Sequence, residues 1–379
     1  MPNPESIVKK LASFKHRGAA TQNEPLVLDY LQSIFSDKTV SLEAFKTPKT
    51  YISVVWWLIS GLVVGLVSSN LIPFLGVVIT CFFTTFALLY FNWYASPVTK
   101  FPPRVTSHNL IVKNGVMNTP KSKKLILMAH YDTAPISFLY TPQMVGNFRK
   151  SLRFSLILMV IAEFIVIVQF INQNIIFSYL SYILATYFLI QGITATVDFF
   201  RLGYSNGASD NATGVAAAIE TANRLWDKNL KDVDVELVLT GAEEVGMIGA
   251  RDYFLKHAKE FTKETYLINF DTLGNGNLKV ITQTGSWSNI IYDNRIIQSA
   301  KEIISQDTDL QHITTGAWHT ADFDSVWFLR AGVPCVTLAA LDTNGRMPNI
   351  HRPTDTFENV DFKPMNDAIQ LAEQIALKL

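Results

Sequence analysis

The sequence predicts an α/β protein with a mixed, largely parallel sheet sandwiched by helices, carrying two inserted transmembrane helical hairpins. Three observations predict it. Short β-branched runs alternate with helical patterns along the polar part of the chain, which is how a parallel sheet covered on both faces is written. Two long stretches, residues 50–99 and 154–197, hold one charged residue between them. Acids and histidines recur just past the strand-like runs, the place where such sheets keep their chemistry.

Of 379 residues, 49% are hydrophobic and 17% charged, against a usual charged fraction of about 25%. The 32 Lys+Arg balance 32 Asp+Glu. This composition excludes a disordered chain and a basic nucleic-acid binder, so no nucleic-acid partner is expected. The two cysteines, Cys81 and Cys335, supply neither a disulfide framework nor a thiolate metal cluster. Any metal site must use histidines and carboxylates.

Residues 1–49 are expected to be an N-terminal helical part of the polar domain. They contain Lys9, Lys10, Lys15 and Arg17 and lack the short apolar core and small-residue cleavage site of a signal peptide, so no cleavage is expected. Residues 50–99 read as a transmembrane hairpin broken at Ser68, Ser69, Asn70 and Pro73, because each half approaches the roughly 20 apolar residues that span a bilayer. Trp56, Trp57, Trp93 and Tyr94 lie near the expected span ends, as interfacial aromatics should. Residues 100–150 return to the polar domain and carry its first strands. Residues 151–197 form a second hairpin, interrupted at Asn172, Gln173 and Asn174. Glu163, near the middle of its span, is either a relay group or shares a polar helix contact with Gln169 and Gln191. Residues 198–379 complete the polar domain.

Core helices are the other reading of the apolar runs, but a globular domain rarely needs four of about 20 residues each. Lys46, Lys49, Lys100, Arg104, Arg149, Lys150, Arg153 and Arg201 flank the hairpins, and neither tip carries a Lys or Arg. The positive-inside rule therefore puts the tips outside and both termini and all polar segments in the cytoplasm. The expected location is the cell membrane, with four spans and the lipid bilayer as a partner.

In the polar part, Leu125–Ala129, Val233–Thr240, Tyr266–Phe270 and Val333–Leu338 read as strands, and Gly214–Trp226, Gly249–His257 and Tyr292–Ser305 as helices. The first strand ends in Met128-Ala-His130-Tyr-Asp132. Residues i and i+2 of a strand share a face, so Asp132 can orient a metal-bound His130; a hydrogen-bonded structural histidine is the plainer reading of the motif alone. Ser205-Asn-Gly-Ala-Ser-Asp210-Asn-Ala-Thr-Gly214 puts an acid at a helix start, where a simple N-cap also explains it. Leu239-Thr-Gly-Ala-Glu243-Glu244-Val-Gly246 places two acids just past a buried strand. Unless that segment is a surface turn, they are costly to ionise without a cation or donors. Asp271 ends another strand, and His351-Arg-Pro-Thr-Asp355 follows near the C-terminus. Together these residues are what a hard, oxygen-rich, two-metal site requires.

Taken in order, the motifs resemble the M28 family of zinc aminopeptidases, the co-catalytic di-zinc exopeptidases: His-x-Asp, an Asp after a Gly/Ser-rich loop, Glu-Glu, an Asp at a strand end, and a late His followed by Asp. The opening Leu11 to Tyr30, with Arg17-Gly18, and the strand Asn109-Leu-Ile-Val are also similar to the family's N-terminal region. The resemblance implies a zinc-exopeptidase (phosphorylase/hydrolase-like) fold interrupted by the hairpins. It implies two zinc ions, with Asp210 bridging them, His130 and Asp271 completing one site, and Glu244 and His351 the other. It further implies Glu243 as general base and Asp132 and Asp355 as partners of the two histidines. The expected reaction releases the first residue of a peptide with a free N-terminus, by attack of a water activated between metals roughly 3.5–4 Å apart.

One segment departs from the family pattern. Where Ser-Asp-His is common before Ala331-Gly332, this chain has His319-Thr-Ala-Asp322-Phe-Asp324, leaving His319 as an oxyanion candidate or a structural histidine on the pocket rim. Two other activities share the fold, a glutaminyl cyclase-like acyltransferase and a non-catalytic membrane scaffold. Because one hairpin enters between His130 and Asp210, the active site is expected to face the bilayer surface and to prefer short or membrane-proximal peptides.

Overall fold

The computed structural model describes residues 2–115 and 121–379. In chain order the elements are α1 (Pro4–Ser13), α2 (Asn23–Ser33), β1 (Thr39–Pro48), α3 (Tyr51–Ser68), α4 (Pro73–Phe91), β2 (Arg104–Lys113) and β3 (Lys123–His130). There follow α5 (Phe148–Ile171), α6 (Ile175–Leu202), α7 (Gly214–Lys228), β4 (Val233–Thr240), α8 (Ile248–His257), β5 (Thr265–Asp271), β6 (Asn277–Thr284) and β7 (Ile290–Ile291). The chain closes with α9 (Arg295–Gln306), β8 (Thr314–Ala317), α10 (Val326–Arg330), β9 (Cys335–Leu341) and α11 (Lys363–Lys378).

The strands form one sheet in the order β1-β2-β4-β3-β5-β9-β6-β7, with β8 paired to β6. Its centre is parallel. β3 runs beside β4 from Lys123↔Val233 to His130↔Thr240, β5 lies on its other side, and β9 continues parallel to β5. These four strands are buried almost throughout, because helices cover both faces, and they are therefore the near-continuous apolar runs of the sequence. Matched parallel register brings their carboxyl ends to one edge. On the flank, β2 is antiparallel to β4, and β1 is antiparallel to β2 from Thr39↔Lys113 to Pro48↔Arg104. The end of β1 and the start of β2 therefore reach that same edge, and α3 departs from it.

Residues 1–49 are not helical throughout, since β1 occupies their last third. It is an edge strand, mostly exposed, so it lacks the continuous apolar signal of the central four. Strands β6, β7 and β8 at the other flank likewise carry no apolar run to mark them; β6 interleaves Lys279, Thr282 and Gln283 with its buried residues. Helix α7 packs on β3, β4 and β5, with Ala216, Ala217 and Ala218 fully buried, and α1 and α11 pack against it. On the flank, α8 lies against β1 and β2.

Among the described residues, four helices, α3 to α6, are long and apolar enough to cross a membrane. They close a ring in which each touches the next and α3 touches α6. Pro73 begins α4, where its missing N–H is not needed, and Asn174 Oδ1 caps α6 by accepting from the Ile176 amide. The second pair runs past the expected limits of 151 and 197 at both ends. Arg149 and Lys150 on one side and Asp198 and Arg201 on the other continue the helical hydrogen bonding after the apolar run has stopped. Inside the ring are small and hydroxylated side chains, including Gly61, Gly65, Thr84, Ala162, Ser181 and Thr196. A Cβ on Gly65 would run into the Thr80 side chain, so the α3–α4 approach requires glycine there. Leu58, Leu62, Leu66, Leu156 and Phe188 are buried among these small side chains, while other large apolar side chains face out, with Phe164 65% and Ile171 75% exposed. Hydrogen bonds cross the ring from Trp56 Nε1 to Thr196 Oγ1 (3.3 Å) and from Gln191 Nε2 to Ser155 Oγ (2.5 Å). Gln169 bonds Ser178, and Glu163 Oε2 has no hydrogen-bond partner among the described residues.

Candidate metal centre

Each candidate ligand sits where a strand or helix ends at the shared edge. His130 is the last residue of β3 and Asp271 the last of β5; Glu243 and Glu244 form a tight turn just after β4. Asp210 comes from the loop ahead of α7, and His351 from the loop after β9. Ala242, Met247, Thr272 and His351 all have left-handed backbones, with φ of 55°, 54°, 48° and 54°. Left-handed φ costs a non-glycine residue about 1–2 kcal/mol, and such residues gather where geometry is imposed by function.

The structure brings the five side chains together around Asp210. His130 Nε2 lies 3.3 Å from Asp210 Oδ1 and 3.6 Å from Asp271 Oδ2. His351 Nε2 lies 3.3 Å from Asp210 Oδ2 and 3.0 Å from Glu244 Oε2. In the trio His130, Asp210 and Asp271, and again in the trio Asp210, Glu244 and His351, one ligand atom per residue falls within 4.8 Å of the others. A third grouping, His130 with Glu243 and Glu244, meets the same limit, so Glu243 borders both positions.

Loops bearing these residues are fixed by main-chain hydrogen bonds. The Asp132 carboxylate accepts from the amides of Glu243 (3.0 Å) and Glu244 (3.3 Å). Its nearest oxygen is 3.7 Å from His130 Nδ1, which sits closer, at 3.2 Å, to the Asp132 carbonyl. Asp355 accepts from the amides of Ser209 (2.6 Å) and Asp210 (3.1 Å), while His351 Nδ1 has no partner among the described residues. Both acids thus secure the segments that carry ligands more than they hold the imidazoles. Beneath them Arg17, fully buried, donates to the carbonyls of Tyr131 (2.8 Å), Asn206 (2.8 Å) and Gly207 (2.7 Å). Its own amide donates to Thr133 Oγ1, tying the 131–133 and 206–207 segments together.

Electrostatics supply the test of fit to a cation. Burial, reinforced by the charge of Asp210, raises the carboxyls of Glu244 and Asp271 to about 7. Burial together with Glu244, Asp324 and Asp271 pushes Glu243 up as well. Burial opposes the charge on His351, yet Glu244 and Asp210 carry its pKa up to about 10. Asp210 moves the other way: burial would raise it, but hydrogen bonds from both imidazoles hold it well below the usual range. Left to themselves these groups share protons. A divalent cation held by these residues would let each acid ionise and each imidazole stay neutral, and Asp210 Oδ2 and Glu244 Oε1, buried without a hydrogen-bond partner among the described residues, are free to take part. The donors, imidazole and carboxylate only, suit zinc.

His319 stands apart from this group: it is half-buried, with Nδ1 3.3 Å from the Gly285 carbonyl. The segment after it, Thr320 to Asp322, reaches the cavity beside the ligands. Two residues not singled out from the sequence belong to the site. Tyr140 packs its ring, tilted by 49°, with its centroid 4.2 Å from that of His351, and Asp324, buried, accepts the Thr240 hydroxyl at the end of β4. Tyr140 ends a single 3-10 turn, Phe138–Tyr140, and Asp324 lies ahead of a short helix, so neither sits on a periodic pattern that marks it.

Residues 193–376 match the sequence model of Peptidase family M28. The chain is 26% identical over 185 residues to aminopeptidase YwaD of Bacillus subtilis, covering 46% of this chain and 38% of that protein. It spans well under two thirds of the length of the curated relatives it matches. Among solved structures, an aminopeptidase from Aneurinibacillus sp. strain AM-1 superposes with a TM-score of 0.58 at 12% identity, covering 99% of this chain and 93% of that one. Glutaminyl cyclase of Porphyromonas gingivalis gives 0.56 at 12% identity, covering 99% and 97%. These similarities establish the α/β exopeptidase fold.

Proposed function

We propose that the chain, whose residues 193–376 match the model of Peptidase family M28, is a membrane-embedded zinc aminopeptidase that removes the first residue from peptides with a free N-terminus. One observation carries this reading: two ligand trios share Asp210, and Glu243 stands beside both. His130, Asp210 and Asp271 would hold one zinc and Asp210, Glu244 and His351 a second. Bound there, zinc lowers the pKa of water and polarises the carbonyl to be cleaved. Glu243, its amide held by Asp132, accepts the proton of the attacking water on its carboxylate and returns it to the departing amine. Asp132, Asp355 and Arg17 keep the three ligand-bearing loops in register. Tyr140 closes the pocket over His351.

The bundle α3–α6 is read as the membrane anchor, with the polar half on the cytoplasmic side. Its outer face is covered by large apolar side chains such as Phe164, Ile171, Ile183 and Ile190, and glycine, serine and threonine are found on its inner face, the arrangement helices adopt in lipid. Arg149 and Arg153 lie at its base, where they donate to the carbonyl of Ser286.

The deciding experiment is zinc analysis of the purified full chain, run beside release of amino acids from a panel of amino-acid amides with and without a chelator. Two zinc ions per chain and chelator-sensitive release are expected. Pyroglutamate formation from glutaminyl peptides without amide hydrolysis would replace this reading by the cyclase one, and zinc binding with neither activity would leave a scaffold.

A further inference from the structure

The cavity beside the candidate ligands, about 210 Å³ in volume, does not stay within the peptidase half. Glu243, Glu244, Tyr140 and His351 line one end. The rest of its wall comes from both hairpins, through Val55, Leu58 and Ile59 of α3, Leu152 and Met159 of α5, and Ala195 of α6. At about 1.5 Å per residue, Ile59 lies about 12 Å along α3 from its first residue, and Met159 about 16 Å along α5. The lining thus runs from the catalytic edge well into the bundle.

What can occupy such a shaft follows from its walls. The polar lining groups Tyr51, Trp93, Ser137 and Thr320 lie outside the stretch walled by Val55, Leu58, Ile59, Leu152, Met159 and Ala195, so a peptide backbone threaded into that stretch would bury amide and carbonyl groups with few partners, which is costly. Gln191, the polar side chain that α6 contributes, already donates to Ser155. An unbranched apolar side chain has no such cost. The volume exceeds the roughly 150 Å³ of an apolar cavity that holds benzene, so it has room for more than a methyl or isopropyl group.

Resting on the aminopeptidase reading, we propose that this shaft receives the side chain of the substrate's N-terminal residue, and that the membrane hairpins thereby set a preference for long, unbranched apolar residues. The rest of the peptide leaves toward the polar half, where its backbone is hydrated. Each methylene that enters apolar surroundings is worth about 0.8 kcal/mol, about four-fold in kcat/KM.

The test uses the full chain in lipid nanodiscs with zinc and the 4-nitroanilides of L-alanine, L-norleucine and L-2-aminooctanoic acid. The expected result is a rise in kcat/KM of about four-fold per added methylene. Ala195→Phe, which fills the shaft, should flatten the rise, and Met159→Ala, which deepens it, should extend it to 2-aminodecanoyl anilide. A second readout needs no turnover: the amide of a diazirine-bearing leucine analogue, irradiated with the chain, should label α3 or α5 within residues 55–59 or 152–159. Equal cleavage of all three anilides, or labelling confined to other segments, overturns the proposal. Labelling of α3 or α5 without hydrolysis of any anilide keeps the pocket and sinks the aminopeptidase reading instead.

Discussion

Helices α6 and α7 follow one another in the chain, separated by the Asp210 loop, and bury opposite kinds of side chain. Helix α7 turns Val215, Ile219, Ala222 and Leu225 inward and leaves Arg224, Asp227 and Lys228 exposed. Helix α6 turns Ser181, Ala185, Gly192 and Thr196 inward and exposes Ile183, Ile190, Ile193 and Phe200. Water rewards the first arrangement, through removal of apolar surface. The second leaves apolar surface outside and gains close backbone approach within, which is favourable where the surrounding medium is itself apolar. The two halves thus carry surfaces of opposite character, and the candidate metal centre lies on the seam. Ala242 and Val245, on either side of the Glu243–Glu244 pair, belong to the apolar cluster of the hairpins and not to that of the sheet.

The largest expected effect tests the sheet side of the seam. Glu243→Gln should lower kcat on amino-acid amides by about 10²- to 10⁴-fold with zinc content unchanged, the range for loss of a general base. Loss of zinc along with activity would instead make Glu243 a ligand.

Next is the clamp below the site. Arg17→Met removes the donors to four carbonyls, those of Leu11, Tyr131 and Gly207 in buried contacts and that of Asn206 in a part-buried one, so at about 1–3 kcal/mol for each buried group left unsatisfied the summed cost is about 3 kcal/mol or more. Denaturant unfolding of the polar half, with zinc retention as a second measurement, checks this. A change below about 1 kcal/mol would mean that the two segments are held elsewhere.

The hairpin side is broken most directly at its outer face. Ile190 is 56% exposed, so if water surrounds it, Ile190→Arg should change stability by no more than about 0.5 kcal/mol. In lipid the same change should cost about 2.5–3.5 kcal/mol and reduce the fraction integrated into membranes. Counting integrated against carbonate-extractable protein separates the two.

The smallest effect sits far from the seam. Glu236 of β4 is fully buried, with Lys113 and Lys124 Nζ at 2.9 and 3.1 Å from Oε2, close ion pairs whose angles fall short of hydrogen bonds. Burial works to raise its pKa, but the two ammonium groups and the Tyr253 hydroxyl outweigh burial and lower it below the 4.5 of a free glutamate. A depressed folded-state pKa stabilises above the unfolded value and is lost as pH falls through the folded one. Stability should therefore drop below about pH 4.5, and Glu236→Gln should remove that part of the acid dependence. Because both lysines reach solvent, the cost at neutral pH should be about 1–2 kcal/mol.

How much of this was legible in the sequence follows from where each residue sits. Strands β3, β4, β5 and β9 are buried on both faces and appear as apolar runs; β1 and β6 lie toward the flanks, and their mixed composition hides them. His130, Asp210, Glu243, Glu244, Asp271 and His351 could be singled out because each follows a strand or precedes a helix and their order matches a known pattern. The partners of Asp132 and Asp355 could not, because they are main-chain amides of residues more than a hundred positions away, and an amide carries no side-chain signature. The shaft was equally hidden, since its walls combine the hairpins with loops of the sheet.

Tyr90 at the end of α4 donates to the Val245 carbonyl at 2.8 Å, and Arg330 reaches the carbonyls of Asn92 and Trp93 at 2.5 Å each. These tethers make the bundle a poor candidate for excision. Removing α3–α6 would strip one wall from the cavity beside the candidate ligands along with the proposed anchor. On the membrane reading, the cavity wall travels with the detergent or lipid phase that covers the bundle, and purification has to keep the two together.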